Sequence, residues 1–233
     1  MIKQTNFETY LYISKNIFNI FVYEKINRKN LYNEKLKVDE QFNFQDLNNL
    51  SKFLDDNIFK IEKLIGIFIK NIILIIESDE ISFVDVGIKK KTYDSIVGNK
   101  NLEKTLVELK DLFKENYKDR HIMHMVIVNY FINGKKYSTF VNDLDVNELC
   151  LEVSFRSISN NLVSILDKIL EKYQIKVNKY MDGKYISSFS DENFKLPDMA
   201  DKIRNGYNEN EIIIVPKDVR NIGFFEKFFQ FFS

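Results

Sequence analysis

His121, His124 and Cys150 are the residues of widest chemical repertoire in this chain. Imidazole and thiolate can ligate zinc, and a Cys-His pair can make a nucleophile. The spacing speaks against a shared metal. His121 and His124 stand three apart in a segment that reads as a strand, and a period of two sends them to opposite faces. A Cys-His pair would need a third residue to orient the imidazole, and none can be identified along the chain. A membrane-associated hydrolase built on His124 stays open as a rival reading, and it requires a pocket with converging polar groups. No catalytic residue, cofactor or metal is assigned.

Charge and aromatic residues point to binding instead. Lys89, Lys90 and Lys91 form a short basic run between Asp85 and Asp94. Such a run is either solvated surface or a dock for an acidic partner tail or lipid headgroups. These three lysines are the candidate partner-binding residues. The final ten residues hold Phe224, Phe225, Phe228, Phe229, Phe231 and Phe232. At about 100° per residue the six rings fall within an arc of roughly 160°, with Glu226, Lys227, Gln230 and Ser233 on the other side. That stripe predicts an amphipathic membrane-binding helix jointed at Gly223, the alternative being a helix docked on its own domain. It is the only anchor expected. One such helix binds reversibly, so stable residence calls for self-association.

Composition sets the frame for these residues. A chain of 233 residues, 45% hydrophobic with 21 Phe and 12 Tyr, can fill the core of one large domain or two small ones. The 34 basic and 34 acidic residues cancel, so no long-range field draws it to nucleic acid. Its aromatics follow strand and helix periods and do not interleave with arginine, as a base-stacking surface would require. A lone cysteine forms no internal disulfide, and no leader-like segment opens the sequence, so the cytoplasm is expected. Lys outnumbers Arg 29 to 5, Asn reaches 26, and Ala200 is the single alanine. This is the mark of AT-rich codons and not of low complexity, because apolar periodicity runs through it. The greasiest stretch, residues 64–76, is broken by Lys70 and falls short of the roughly 20 residues that span a bilayer.

The elements that must position these residues follow from periodicity. Residues 10–14, 17–24 and 31–38 read as a three-stranded meander. Leu47, Leu50, Leu54, Ile58, Ile61 and Ile65 mark one face of a helix, with Asn43 or Asp46 as cap and Gly66 as stop. Residues 72–76 read as a strand buried on both faces. A second unit starts near Asp79: a strand at 81–88, a helix marked by Leu102, Leu106, Leu109 and Phe113, and a hairpin around Asn133-Gly134. Leu149, Leu151, Val153 and Phe155 then alternate with polar residues as a half-buried strand. Ser157 or Ser159 caps a helix through Tyr173, and residues 175–180 return as a strand. Pro197 opens a polar region.

From His124 through Val126, Tyr130, Ile132, Asn133-Gly134, Leu151 and Val153 to the helix at 161–173, the order of elements resembles FtsA, the actin-like protein of bacterial division. The likeness covers roughly residues 7–189 and rests on element order and apolar pattern. It implies an α/β fold in which a 1C-like lobe is inserted into a 1A-like lobe. The expected organisation is residues 1–78 and 150–195 as the 1A-like lobe, 79–149 as the 1C-like insert, 196–222 as a tether and 223–233 as the membrane helix.

The resemblance also sets tests that this chain does not meet. An actin-like ATPase grips phosphate with two Asp-x-Gly hairpins. The first would fall at Tyr12-Ile13-Ser14-Lys15-Asn16, which holds neither residue. The second hairpin and the adenosine loop belong to a half of the family fold that the likeness does not reach. Asp85-Val86-Gly87 has the right spelling, but it follows a helix inside an alternating strand, so it reads as a turn or bulge at a strand end. The resemblance therefore implies a non-catalytic adaptor on the cytoplasmic face of the inner membrane, at the division septum. Its 1C-like lobe would bind partners such as the tail of FtsN. The family's main FtsZ contact lies in subdomain 2B, which the likeness does not include. An actin-like scaffold of a type IV pilus or secretion system shares the same plan.

Overall fold

The computed structural model describes residues 7–38, 47–91, 99–139, 147–190 and 195–213. Strands β1 (Phe7–Ile13), β2 (Ile17–Glu24) and β3 (Lys29–Lys37) lead into helix α1 (Asn48–Ile65) and strand β4 (Asn71–Ile76). Next come β5 (Ser82–Lys91), α2 (Asn99–Asn116), β6 (Arg120–Ile132), β7 (Lys135–Tyr137) and β8 (Glu148–Ser159). The order ends with α3 (Asn160–Glu171), β9 (Lys176–Asp182), α4 (Gly183–Ser187) and α5 (Leu196–Arg204). The described residues form two compact units. The first takes those up to Phe83 with Asp119–His124 and Arg156–Asn208, and the second takes Val84–Lys118, Met125–Phe155 and those from Glu209 on. The second unit is thus interrupted in sequence by residues 119–124, which belong to the first.

The first unit is built on a five-stranded sheet of order β3-β2-β1-β4-β9, in which β1, β4 and β9 run parallel and the meander is antiparallel. The Ile/Leu run of β4 is buried from Ile72 to Ile76 because both faces of the sheet are covered. One face packs Leu11, Ile13, Phe18, Ile20, Ile72 and Leu74 against Leu50, Leu54 and Ile61 of α1 and Leu162 and Leu166 of α3. Gly66 stops α1 in the left-handed region at φ 73°, with its N–H donating to the Glu62 carbonyl. At the other end Leu47 stands at the N-cap position without a side-chain bond, and Asn43 and Asp46 lie outside the described residues. Ser159, of the two serines considered, caps α3 by accepting from the Leu162 N–H at 3.2 Å.

The opposite face of this sheet is covered by α4 and α5. Residues 196–204, expected as the start of a tether, form α5 instead, with Pro197, Met199, Ala200 and Ile203 buried. Pro197 sits in the first turn, where a missing N–H costs nothing and its fixed φ favours the helix. Tyr23 donates to Asp198 at 2.7 Å and Arg204 pairs with Glu8 at 2.5 Å, which fastens α5 to β2 and β1.

The second unit holds a sheet of order β5-β8-β6-β7. Leu102, Leu106, Leu109 and Phe113 of α2 are buried, and the Phe113 ring stacks on Phe155 with centroids 4.5 Å apart. Asn133 and Gly134 take φ of 51° and 79°, the pair of positive values that a two-residue hairpin turn requires. Residues 210–212 add a further rung to β6, through Ile127 N–H to the Asn210 carbonyl and Ile212 N–H to the Met125 carbonyl. Among the described residues no helix is long and apolar enough to cross a membrane.

Candidate functional site

In open α/β sheets ligands collect beyond the carboxyl ends of the parallel strands. Here that edge is formed by the turn after β1, the residues after β4 and the start of α4 after β9. Lys15, at the tip of the β1–β2 hairpin, forms an ion pair with Asp79, and Lys184 of α4 lies 3.9 Å from the other Asp79 oxygen. The Lys15 hydrogen bond and charge hold the Asp79 carboxyl below its usual range. The Glu77 N–H donates to the Ile13 carbonyl at 2.8 Å and carries the parallel ladder to its end. Burial, reinforced by the Glu77 carboxylate, pushes the Tyr12 hydroxyl up to about 12.

Behind this edge lies a buried polar cluster. Asp182 is fully enclosed and accepts from Arg156 Nη1 at 2.7 Å and from the Lys184 N–H at 2.9 Å, the latter capping α4. The Arg156 guanidinium also lies over the rings of Phe83 and Tyr185, 4.6 and 4.8 Å from their centroids. The Asp182 N–H donates to His124 Nε2 at 2.9 Å, which makes Nε2 an acceptor and leaves the proton of a neutral ring on Nδ1. His124 is buried against Tyr185, with centroids 4.4 Å apart. Gly183 lies so close to Glu77 that a Cβ there would meet its Cγ at 2.6 Å. Arg120 ties the exit of β4 down by donating to the Glu80 carbonyl, Ser82 Oγ and the Ser157 carbonyl at 2.6 to 2.7 Å. The cations Lys15 and Lys184 thus face Asp79, and Arg156 faces Asp182.

The residues singled out from sequence are dispersed. His121 and His124 lie in β6 as expected, His121 with its edge against Tyr180 at 5.2 Å. Cys150 lies in β8 of the second unit and His124 in the first. Among the described residues no group of three or more His, Cys, Asp or Glu is arranged to hold a metal. Asp85-Val86-Gly87, expected as a turn or bulge at a strand end, occupies the middle of β5, and Gly87 does not take the left-handed φ of a glycine turn. Lys89 pairs with Glu148 at 2.8 Å and Lys90 with Glu108, while Lys91 is exposed at the last position of β5. Two charges of the basic run are therefore matched within the second unit. Phe224, Phe225, Phe228, Phe229, Phe231 and Phe232 lie outside the described residues. The Asp182–Arg156 pair was not anticipated. Its one sequence signal is the Asp-Gly step that ends β9.

The fold has counterparts among solved structures. A chain of the PilM-PilN type IV pilus biogenesis complex superposes with a TM-score of 0.51 at 7% identity, over 78% of this chain and 49% of that one. The cytoplasmic domain of EpsL, an inner membrane component of the type II secretion system of Vibrio cholerae, gives 0.39 at 8% identity, over 80% and 60%. A Bacteroides thetaiotaomicron protein with an actin-like ATPase fold gives 0.33 at 16% identity, over 81% and 58%. The fold is actin-like. The superposition on the PilM-PilN chain shows likeness of fold alone and does not single out FtsA. The chain spans between 49% and 60% of the length of the three structures. No protein-family model matches it, and no curated protein does.

Proposed function

We propose that this chain is a non-catalytic actin-like scaffold of the type IV pilus or secretion class, which works at the inner face of a membrane and holds the tail of a membrane-embedded partner. The observation that carries the reading is the Lys15–Asp79 ion pair. It bridges the very turn where an actin-like ATPase presents Asp and Gly to phosphate, with Ser14-Lys15-Asn16 in their place. Backbone N–H groups need glycine to close on an anion, and the aspartate that would organise a metal is missing from this hairpin. The fold shared with a chain of a PilM-PilN complex supports the class of assembly.

An FtsA-like division adaptor, with an FtsN-like tail as partner, would use the same fold and differs in place. A fluorescent fusion of the full chain, imaged with a division-ring marker, separates the two. The scaffold reading expects envelope foci that persist in cells without a constriction. A ring that assembles and disassembles with the septum would overturn it in favour of the division reading.

A further inference from the structure

At the amino ends of the parallel strands, remote in sequence from the hairpin edge, the first unit carries an exposed apolar tip. Phe59 is 72% exposed, Leu64 55%, Ile67 46% and Phe68 78%. They belong to the last two turns of α1 and the loop into β4. This loop is held in place. Gly66 turns the backbone, Glu62 Oε1 accepts from the Ile69 N–H at 3.0 Å, and the Ile69 side chain is buried beneath. Exposure of the four side chains is thus built into a pinned backbone. Beside the tip runs an open groove of about 1170 Å³ whose walls include Phe7, Phe59, Phe68 and Ile73.

Lysines lie next to this apolar surface. Lys60, Lys63 and Lys70 are exposed on the same segment, and Lys176 is adjacent, its N–H donating to the Lys70 carbonyl at 3.0 Å. The carboxylates nearby are largely engaged. Glu62 holds the loop, and Glu8 in the groove pairs with Arg204 and with Lys25 at 2.7 Å. Asp55, which accepts from Tyr173, and Asp56, one turn before Lys60, are the exposed acids of this part of α1.

We infer that this tip, Phe59, Leu64, Ile67 and Phe68 with the exposed lysines beside it, is a contact for an anionic lipid surface. An apolar centre with flexible cationic stems around it matches the bilayer interface, where rings and alkyl groups enter the acyl boundary and ammonium groups meet lipid phosphates. A second copy is the poorer occupant, because a two-fold contact would bring the lysines of one copy's patch up to those of the other. The proposal rests on the membrane-surface reading above and adds a second anchor to the one expected at the terminus, so that two weak sites on one chain reinforce each other.

The chain has no tryptophan, so Phe68→Trp in the full chain is a clean reporter. With vesicles of phosphatidylcholine and phosphatidylglycerol its indole emission should shift to the blue and be quenched by brominated lipid. Phe59→Ser with Phe68→Ser should lower the partition coefficient about tenfold or more. Lys60→Glu with Lys63→Glu and Lys70→Glu should abolish the gain that phosphatidylglycerol gives over phosphatidylcholine alone. If the full chain pellets with vesicles while the reporter's indole emission and the serine variant's binding stay unchanged, the tip is not a lipid contact and only this proposal falls. If the full chain fails to pellet at all, the membrane-surface reading falls with it. If the serine variant binds vesicles normally but converts a dimer to a monomer in sedimentation velocity, the tip is a self-contact and the proposal is overturned.

Discussion

At the scale of single residues, the buried charges of the first unit determine what can be changed. Removing one partner of an enclosed ion pair leaves the other desolvated, at a cost of about 3–5 kcal/mol, whereas replacing both with apolar groups is far milder. Arg156→Met should therefore destabilise the protein by several kcal/mol in urea unfolding, because it strands the Asp182 carboxylate. A second substitution, Asp182→Leu, should recover part of the loss, since the charge goes with it. A loss in the double variant equal to the sum of the singles would show that the pair is not coupled. Glu8 gives the pH dependence. Burial raises its pKa, but the bonds from Arg204 and Lys25 outweigh that and hold the carboxyl below its ordinary 4.5. A depressed folded value means stability present above the unfolded pKa and lost as pH falls through the folded one. Glu8→Gln should cost about 1–3 kcal/mol at neutral pH, and the gap to wild type should close below 4.5. A gap independent of pH would contradict the assignment. Neither site was legible in the sequence. Arg156 and Asp182 are joined across 26 positions, and a run such as Lys89 to Lys91 looks like an open patch until Glu148 and Glu108 fold against it.

Secondary-structure elements were legible where local pattern and tertiary burial agree. The run at 72–76 announced a strand covered on both faces, Asn133-Gly134 announced its hairpin, and Gly66 stopped its helix. Helix α5 went unread because it offers only nine residues, and Pro197 reads as a breaker unless it is seen to stand in the first turn. Its burial supplies a test. Ile203→Ala should cost about 2–5 kcal/mol, as truncations of packed aliphatic residues do, if this segment is part of the core. Thermal unfolding unchanged within error would restore the tether reading.

For the whole molecule, the pattern of elements carried the actin-like fold, while the choice among its users was not readable. Element order alone does not choose among division, pilus and secretion systems, because function resides in sites placed on the fold. The terminal phenylalanines belong to this scale, since an anchor acts on the entire chain. A chain ending at Ile222 should lose most of its vesicle binding and keep its melting temperature; retained binding would mean that the six rings are not an anchor.

The central claim is that this actin-like chain works without nucleotide, and calorimetric titration of the full chain with magnesium ATP tests it most directly. We expect no saturable heat up to millimolar nucleotide, for wild type and for Lys15→Ala alike. Saturable micromolar binding that is lost on changing Ser14 or Lys15 would contradict the account.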